Sequence, residues 1–511
     1  MNKKLKHIEL FAGCGGLTLG MERAGFSLVF ANEVSPMASI TYAQNILNQD
    51  ISQLNDKIKW VHTRHGHDNF SSRLREDLLS HNKLENSEVS FESDLSQMSK
   101  TLLIGDVRHL KSRLIEDHVL NPFKGNLDLI SGGPPCQSFS LAGRREKNNY
   151  KNNLPLVFAE ICEILSPKLV LLENVKGITS AFMDGTNKYY AWFEVAKTFA
   201  SKGYVPVCMM LNSKFFKIPQ NRPRYIMIAV RTDVFQVIYK KYPTHKVLNH
   251  LKSFMSKAES GISDVNIEDL NYYDAIKDSK YFDGIILPKL ISEEQNSWVS
   301  VKDAIDDLSS SNDASSYVRN LNTLFCQNEA NLKPGLAVFN HNSRNHSQKT
   351  KDRFFFYQLI SRSPELKNQI LKLKNNGLQI DLSISKKLFN LIKERSTGFK
   401  SANELNSFLN TVELTKKHSQ RALLPDKPSP AQLTIPDDTC HYSITQNRVL
   451  TVREMARIQS FPDWFEFKSK ETTGGKNRRY EVPQYTQVGN AVPPKLGYYL
   501  GLHLKALLKV E

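Results

Sequence analysis

Short apolar runs alternate with amphipathic segments over the first half of the chain. The apolar runs predict buried strands at residues 7–11, 28–31, 102–105, 127–131, 169–172, 204–211 and 225–230. The amphipathic segments predict helices at residues 17–24, 154–165 and 192–202. Alternation of strands and helices is typical of an α/β fold, so we expect an open α/β sheet here.

The alternation weakens after residue 231 and returns near residue 448. Thr451 and Glu454 have the spacing of a capping box and predict the start of a helix that ends before Ser460. A last helix is expected to open at residues 488–494 and to run to about 508. We therefore expect a first domain at residues 1–235 with an insertion at 48–100, a second, smaller domain at 236–440, and a return to the first domain at 441–511.

Composition places the chain among soluble globular proteins, with 40% hydrophobic and 23% charged residues. There is no apolar run long enough to span a membrane, and the basic N-terminus leads into a strand and not into a signal peptide. We therefore expect a cytoplasmic protein that does not bind membranes. The net charge of +16 favours a polyanionic partner such as nucleic acid.

Cysteine and histidine spacing does not suggest a bound metal. The six cysteines are scattered without a Cys-x-x-Cys pair, which argues against a disulfide framework and a zinc site. His62, His65 and His67 lie close together in the insertion, but their spacing matches no standard metal site. We expect no metal, and an individual cysteine remains available for thiol chemistry.

One such cysteine, Cys136, follows the predicted strand at 127–131 and the break Gly132-Gly133-Pro134-Pro135. The carboxyl ends of parallel strands are where open α/β sheets bind ligands, so Cys136 is a candidate nucleophile. Taken alone, it could equally be a buried structural cysteine. Cys14 lies inside a glycine turn and is expected to be a packing residue.

The stretch Ala12-Gly13-Cys14-Gly15-Gly16 joins the first strand to the first helix, which is the setting of a nucleotide-type site. Glu33 ends the second strand about 20 residues later and can hold ribose hydroxyls. Asp106 ends another strand and can accept a hydrogen bond from an exocyclic amine such as that of adenine. The alternative for Asp106 is a solvated position at the strand end.

Further charged residues lie next to predicted strands or loops that come after Cys136. Glu173 ends the apolar strand 169–172, where partial desolvation favours an acid, although a turn or capping role is the alternative. Arg222 and Arg224 alternate in an extended segment and suggest recognition of carbonyl oxygens or phosphate, if they are not solvated surface arginines. The polar stretch 138–153 carries Arg144 and Arg145 and is expected to be a loop that closes over a phosphate backbone.

Read together, these stretches resemble the DNA (cytosine-5) methyltransferase family, of the bacterial type II restriction–modification kind. The resemblance is carried, in the order of the family, by residues 11–16, 133–137, 173–175, 220–224, 448–463 and 489–492. It frames the chain up to residue 230 and again from residue 448. It implies S-adenosylmethionine as methyl donor and a Rossmann-like methyltransferase sheet. The middle of the chain would be a separate, smaller target recognition domain.

The resemblance also implies a cofactor site. Its residues would be Phe11, Gly13, Gly15, Gly16, Leu17, Glu33, Val34, Asp106, Val107, Pro134, Asn490 and Val492. Glu33 would take the ribose hydroxyls and Asp106 the adenine amine. The chain departs from the family at Val34, where an aromatic residue is frequent, and at Ala491, where Ser is frequent.

The catalytic residues implied are Cys136, Glu173, Arg222 and Arg224. Cys136 would attack C6 of cytosine, Glu173 would hold its N3 edge, and Arg224 would bind its O2, with Arg222 supporting the loop. Substrate contacts would come from Gln137, Ser138, Arg144, Arg145 and Gln220. The target base would have to leave the duplex.

The family implies a monomer that acts on double-stranded DNA and is functionally linked to a cognate restriction endonuclease. One alternative is a tRNA cytosine-5 methyltransferase, since one branch of the family modifies tRNA, but the stretch 231–447 is longer than that branch suggests. A second alternative is a catalytically silent DNA-binding regulator. The presence of Cys136, Glu173 and Arg224 argues against it.

Overall fold

A computed structural model describes most of the chain. The described residues are 4–51, 57–60, 98–116, 123–135, 153–184, 187–309, 312–326, 338–394, 397–415, 420–436, 439–479 and 481–510. The three histidines of the insertion lie outside them. Among the described helices, none is long and apolar enough to cross a membrane.

A large mixed sheet organises the molecule. The strands are β1 (Leu5–Leu10), β2 (Phe26–Glu33), β3 (Ile58–Trp60), β4 (Thr101–Ile104), β5 (Leu129–Gly132), β6 (Leu169–Val175), β7 (Phe182–Asp184), β8 (Asn187–Tyr189), β9 (Tyr204–Asn212), β10 (Gln220–Asn221), β11 (Pro223–Arg231), β12 (Tyr272–Asp274), β13 (Arg421–Ala422), β14 (Ser429–Pro430) and β15 (Thr439–Cys440). Nine of them form one sheet in the order β12-β9-β11-β6-β5-β1-β2-β4-β3. β11 runs antiparallel to β6 and β9, whereas the other pairings in this sheet are parallel.

Helices cover the sheet and form the remainder of the regular structure. The α-helices are Gly16–Ala24, Pro36–Tyr42, Val107–Glu116, Leu154–Leu165, Ala191–Ser201, Thr232–Lys241, Lys246–Ser260, Val301–Ile305, Ser316–Leu324, Gln348–Ile360, Pro364–Asn375, Leu382–Ile392, Ala402–Thr411, Val452–Ile458, Gln484–Asn490 and Pro494–Leu508. The predicted α/β fold with a large central sheet is confirmed. The capping box of Thr451 and Glu454 is also present at the start of its helix.

Two apolar clusters cover the two faces of the sheet. Along β4, Leu103 belongs to the first cluster, whereas Leu102 and Ile104 belong to the second. This division follows from strand geometry, because successive side chains point to opposite faces. Since all three side chains are fully buried, the parallel part of the sheet is covered on both sides.

The structure differs from the expected start of a second domain at residue 236. β12 adds to the edge of the main sheet beside β9, and Leu248, Leu251 and Phe254 are buried in the first apolar cluster. The sheet and its core therefore extend to about residue 290. A strand of three residues shows no periodicity in the sequence, which is why this extension escapes pattern analysis.

Residues 348–449, named here the helical region, have an apolar cluster of their own. Four helices and the short strands β13 and β15 surround Phe356, Ile360 and Leu388, which are almost inaccessible to solvent. In contrast, the helices Val301–Ile305 and Ser316–Leu324 pack into the second cluster of the sheet. The helical region thus accounts for only the later part of the expected second domain.

The last helix returns to the start of the chain. Helix Pro494–Leu508 packs on helix Gly16–Ala24, and a Cβ placed on Gly20 would lie 2.4 Å from the carbonyl oxygen of Pro494. Only glycine permits this approach of two backbones. The last helix thus contacts the first helix, while the expected division into domains stays a prediction.

Candidate active site

The predicted glycine turn after β1 uses left-handed backbone at Phe11, Gly13 and Gly15, with φ of 59°, 56° and 95°. A Cβ on Gly15 would lie 2.8 Å from Cγ1 of Ile46, so a side chain is excluded there. Among the described residues, a Cβ placed on Gly13 would have no neighbour within 4 Å. The turn is therefore packed on one side and open at Gly13.

Glu33 connects the end of β2 to this turn. Its Oε2 accepts the backbone N–H of Gly13 at 2.8 Å, and its Oε1 accepts that of Ser35 at 2.7 Å. The residue is 8% exposed. An ionised carboxylate offers about four acceptor positions, and acceptors of this kind are what ribose hydroxyl groups require.

Asp106 follows β4 by two residues at the same edge of the sheet. Its Oδ1 accepts the backbone N–H and Nε of Arg108, and its Oδ2 accepts Nη2 of Arg108 at 2.6 Å. Burial alone would raise the pKa of Asp106, but the hydrogen bonds from Arg108 outweigh it and hold the pKa below its usual value. Asp106 is thus an ionised acceptor.

The end of β5 leads toward the predicted nucleophile and lies against β6. A Cβ on Gly133 would lie 3.2 Å from Oε2 of Glu173, and Asn174 donates through Nδ2 to the carbonyl oxygen of Pro134 at 2.9 Å. The backbone before Cys136 is therefore fixed beside Glu173. Cys136 lies outside the described residues, and so do the predicted substrate contacts Gln137, Ser138, Arg144 and Arg145.

Glu173 and Arg224 form an ion pair at this edge. Nε of Arg224 lies 2.8 Å from Oε1 of Glu173, and their side chains are only 12% and 14% exposed. The antiparallel pairing of β11 with β6 brings Arg224 opposite Val175 and so beside Glu173. Burial lowers the pKa of Arg224, and Glu173 opposes that shift. The pair offers a guanidinium and a carboxylate in a largely dehydrated position.

Arg222 has a different environment from Arg224. Its guanidinium donates to the carbonyl oxygens of Gln432 at 3.2 Å and Gly489 at 2.7 Å, and the residue is 2% exposed. Arg222 thus holds β11 against two distant segments. This placement agrees with a supporting role, and its place among the catalytic residues stays a prediction.

Gln220 is fully buried in the same network. Its Nε2 donates to Oε1 of Gln459 at 2.8 Å, and its Oε1 accepts the backbone N–H of Gln432 at 3.0 Å. Gln459 in turn donates to the carbonyl oxygen of Val488 at 2.7 Å. In this conformation Gln220 joins protein segments, and its predicted contact with substrate stays a prediction.

Several residues predicted to bind a methyl donor lie at this edge of the sheet. Phe11, Val34 and Val492 are half-buried at the edge, Asn490 is exposed, and Gly13 borders open space. Two acids, Glu33 and Asp106, supply carboxylate acceptors that match the hydroxyl and amine donors of an adenosine group. These residues fit the group.

Other members of the predicted cofactor set support the edge from within. Leu17 and Val107 are 3% exposed and lie in the first apolar cluster. Pro134 is also buried, and a Cβ on Gly16 would lie 2.4 Å from the carbonyl oxygen of Val492. Their side chains shape the site, and their predicted contacts with the cofactor stay predictions.

Cys14 is buried inside the glycine turn. Burial raises the pKa of the Cys14 thiol to about 12, and its side chain is 3% exposed, which confirms a packing role. No group of three or more potential metal ligands is present in the part of the chain that the structure describes.

Sequence analysis missed three residues that hold the site together, namely Arg108, Gln432 and Gln459. Gln432 and Gln459 link β10 to the segment around Gly489, and Arg108 holds Asp106. The sequence shows only that Arg108 follows an acid by two positions. For the glutamines it contains no local signal, because their partners lie far along the chain.

Comparisons with known proteins bear on this site. A family model described as C-5 cytosine-specific DNA methylase matches residues 5–70 and 95–506. The chain is 26% identical over 498 residues to the type II methyltransferase M.DdeI of Desulfomicrobium norvegicum, covering 96% of this chain and 86% of that protein. It is 24% identical over 510 residues to the type II methyltransferase M1.HphI of Haemophilus parahaemolyticus, covering 99% and 87%.

A solved structure is also similar. The Dnmt2 methyltransferase of S. pombe aligns with 14% identity over 99% of both chains, at a TM-score of 0.40.

Proposed function

Since the chain belongs to the family of C-5 cytosine-specific DNA methylases, we propose that it methylates one cytosine within a short double-stranded DNA sequence. The enzyme class is cytosine-5 DNA methyltransferase, EC 2.1.1.37. The family implies S-adenosylmethionine, which supplies an electrophilic methyl group when bound. The observation that carries the proposal is the buried pair of Glu173 and Arg224 beside the backbone that leads to Cys136.

The Cys136 thiolate is the nucleophile of the proposed reaction. C5 of cytosine reacts poorly with an electrophile, and addition of the thiolate to C6 converts the ring into an enamine whose C5 can accept a methyl group. A base then removes the proton from C5, and the bond between Cys136 and C6 breaks to restore the aromatic ring. The thiolate is regenerated, so this residue needs no external reductant or oxidant.

Glu173 and Arg224 act on the base at two of its edges. Glu173 holds or protonates N3, which makes C6 more electrophilic, and Arg224 donates to O2. Their ion pair supports this assignment because each charge orients the other before the base arrives. Arg222 supports the strand that carries Arg224 through its bonds to Gln432 and Gly489.

The cofactor is assigned to the open edge around Gly13. Glu33 accepts from the ribose hydroxyls and Asp106 from the adenine amine, while Asn490 and Val492 approach from the C-terminal part of the chain. The carboxylate acceptors that follow two neighbouring strands of the sheet support this assignment.

DNA binding is assigned in part to the helical region. Its exposed lysines include Lys351, Lys372, Lys386, Lys387, Lys393 and Lys400. Positive charge of this kind neutralises phosphates and releases counterions. Extrusion of the target cytosine costs a few kcal/mol of stacking, which such contacts and residues 137–151 would offset.

We propose that the protein acts as a monomer in the cytoplasm and protects DNA from a cognate restriction endonuclease. The names of the type II relatives support the link to restriction and modification.

The test is conversion sequencing of plasmid DNA from cells that express the chain or its Cys136→Ser variant. We expect 5-methylcytosine at one short sequence with the wild-type chain and none with the variant. Cys326→Ser is the matched control, because Cys326 is a half-buried cysteine outside the proposed chemistry, and it should retain methylation.

Two outcomes would contradict the proposal. Methylation that survives Cys136→Ser would exclude the assigned nucleophile. Unmodified DNA from cells that contain folded wild-type protein would exclude the DNA substrate, and methylcytosine in tRNA from the same cells would identify the alternative.

A further inference from the structure

Asp106 is held in place by the neighbouring strand as well as by its own helix. Asn32 donates through Nδ2 to the carbonyl oxygen of Gly105 at 3.0 Å, and the N–H of Gly105 donates to the carbonyl oxygen of Glu33 at 2.9 Å. Helix Val107–Glu116 begins directly after Asp106. The backbone of Asp106 is therefore fixed relative to the strand that ends in Glu33.

The carboxylate itself is fixed by Arg108. Among the described residues, Oδ1 accepts the backbone N–H of Arg108 at 2.9 Å and its Nε at 3.0 Å, and Oδ2 accepts its Nη2 at 2.6 Å. An ionised carboxylate has about four acceptor positions. Three are used, so Oδ2 retains one position for a further donor.

The guanidinium determines which ligands this remaining position can accept. Its planar fork holds both carboxylate oxygens in one orientation, and it has no acceptor of its own. The two side chains are 39% and 23% exposed, so the pair can be reached from solvent. The fixed oxygen matches an amine N–H and repels a carbonyl oxygen.

We propose that Arg108 is a specificity-determining residue for the purine of the methyl donor, because it fixes Asp106 as the acceptor for one amine N–H. The site then takes a 6-amino purine and rejects a 6-oxo purine. This inference rests on the proposed function, which assigns Asp106 to the adenine amine. Arg108 acts through Asp106 and is a positioning residue.

Removal of the fork should weaken discrimination between the two purines. A carboxylate without the fork can rotate and bind a water that bridges to a carbonyl oxygen. Calorimetric titration of the full chain with S-adenosylhomocysteine and with its deaminated analogue S-inosylhomocysteine measures the ratio of the two dissociation constants. We expect Arg108→Met to reduce the preference for the adenine compound about tenfold, which corresponds to one charge-assisted hydrogen bond.

Two further variants separate this role from a structural one. Arg108→Lys keeps the charge but not the planar fork, so it should restore part of the preference. Arg231, the last residue of β11, forms a similar fork with Asp233, with contacts of 2.7 and 2.8 Å. It is the matched control, and Arg231→Met should leave the ratio of the two dissociation constants at the wild-type value.

The result that overturns the inference is an unchanged ratio in Arg108→Met, whether or not both ligands bind more weakly. Failure of the folded wild-type chain to bind S-adenosylhomocysteine would instead contradict the cofactor assigned under the proposed function, and the inference would fall with it.

Discussion

At the sheet edge, Glu173, Arg224 and Asp106 are mostly buried and each has a hydrogen-bonded partner, whereas Lys386 and Lys387 of the helical region stand exposed on one helix. The edge fixes a few charges in one geometry. The helical region offers many charges on a surface supported by an apolar cluster. This contrast suggests that chemistry depends on single residues at the edge, while DNA affinity is distributed over the helical region.

The largest expected effect follows from loss of the guanidinium at the edge. Arg224→Met removes the partner of Glu173 and the proposed donor to cytosine O2. We expect the single-turnover rate of methylation to fall roughly 10³-fold, as for loss of a preorganised donor in a dehydrated site, with little change in cofactor affinity. Rapid-quench measurements with labelled cofactor provide the rate.

Arg231→Met is the control for this change, since Arg231 lies at the opposite end of the same strand. A variant at residue 224 that turns over as fast as the control would remove Arg224 from the chemistry.

The junction of the two regions is expected to depend on a buried ion pair. Glu454 is fully buried and accepts both Nη1 and Nη2 of Arg448 at 2.7 Å. Glu454→Gln leaves the guanidinium without its counter-charge, so we expect a loss of about 4 kcal/mol in the free energy of unfolding. Urea titration followed by circular dichroism measures it.

The exposed pair of Lys349 and Glu413 lies in the helical region and provides the comparison. Glu413→Gln should cost less than about 1 kcal/mol. Equal losses in the free energy of unfolding for the two variants would show that burial does not make the Glu454 pair more important for stability.

The contrast between the sheet edge and the helical region predicts that the helical region can be destabilised without an effect on the edge. Leu388 is fully buried in its apolar cluster. Leu388→Ala should therefore lower the free energy of unfolding of the helical region by about 3 kcal/mol and weaken DNA binding. Cofactor affinity should stay at the wild-type value. Filter binding of DNA and calorimetry of the cofactor measure the two effects.

Leu391 lies on the same helix but is 55% exposed, and Leu391→Ala should change neither property. A parallel loss of cofactor affinity in Leu388→Ala would show that the two regions are not independent.

The smallest expected effect concerns Glu9, beneath the glycine turn. The residue is 2% exposed, Thr18 donates to its carboxyl group, and burial raises the pKa of Glu9 from 4.5 to about 8. The folded chain therefore keeps a proton that the unfolded chain loses above pH 4.5. The associated stability is present below that pH and disappears as the pH rises through 8.

Glu9→Gln is permanently neutral and keeps an acceptor for Thr18. We expect it to unfold like the wild-type chain below about pH 4.5 and to become progressively more stable than the wild-type chain as the pH rises from there to about 8. Urea titrations across this range measure the difference. A constant difference at every pH would mean that Glu9 is charged in the folded chain.

Local patterns predicted much of the sheet and its edge. Neighbouring residues determine the strand that ends in Glu33, the strand that leads to Asp106 and the strand that carries Glu173. The same holds for the glycine turn and the capping box of Thr451. Hydrophobic runs and turn residues act over short distances, so the sequence displays them directly.

Contacts between distant segments could not be predicted in the same way. Arg222 donates to Gln432 and Gly489, which are 210 and 267 residues away. Likewise, β12 joins the sheet through only three residues, Tyr272–Asp274. The pairing of such segments depends on the completed core, and nothing in their own composition specifies it.

The contact between helices Gly16–Ala24 and Pro494–Leu508 has a consequence for biosynthesis. The ribosome adds Val492, which lies against Gly16, only after almost all the intervening residues have been made. Closure of so long a chain segment is a late and slow step in folding. The nascent polypeptide therefore brings Val492 against Gly16 only after translation has passed helix Pro494–Leu508, and the proposed methyl-donor site stays incomplete in a fragment that stops earlier.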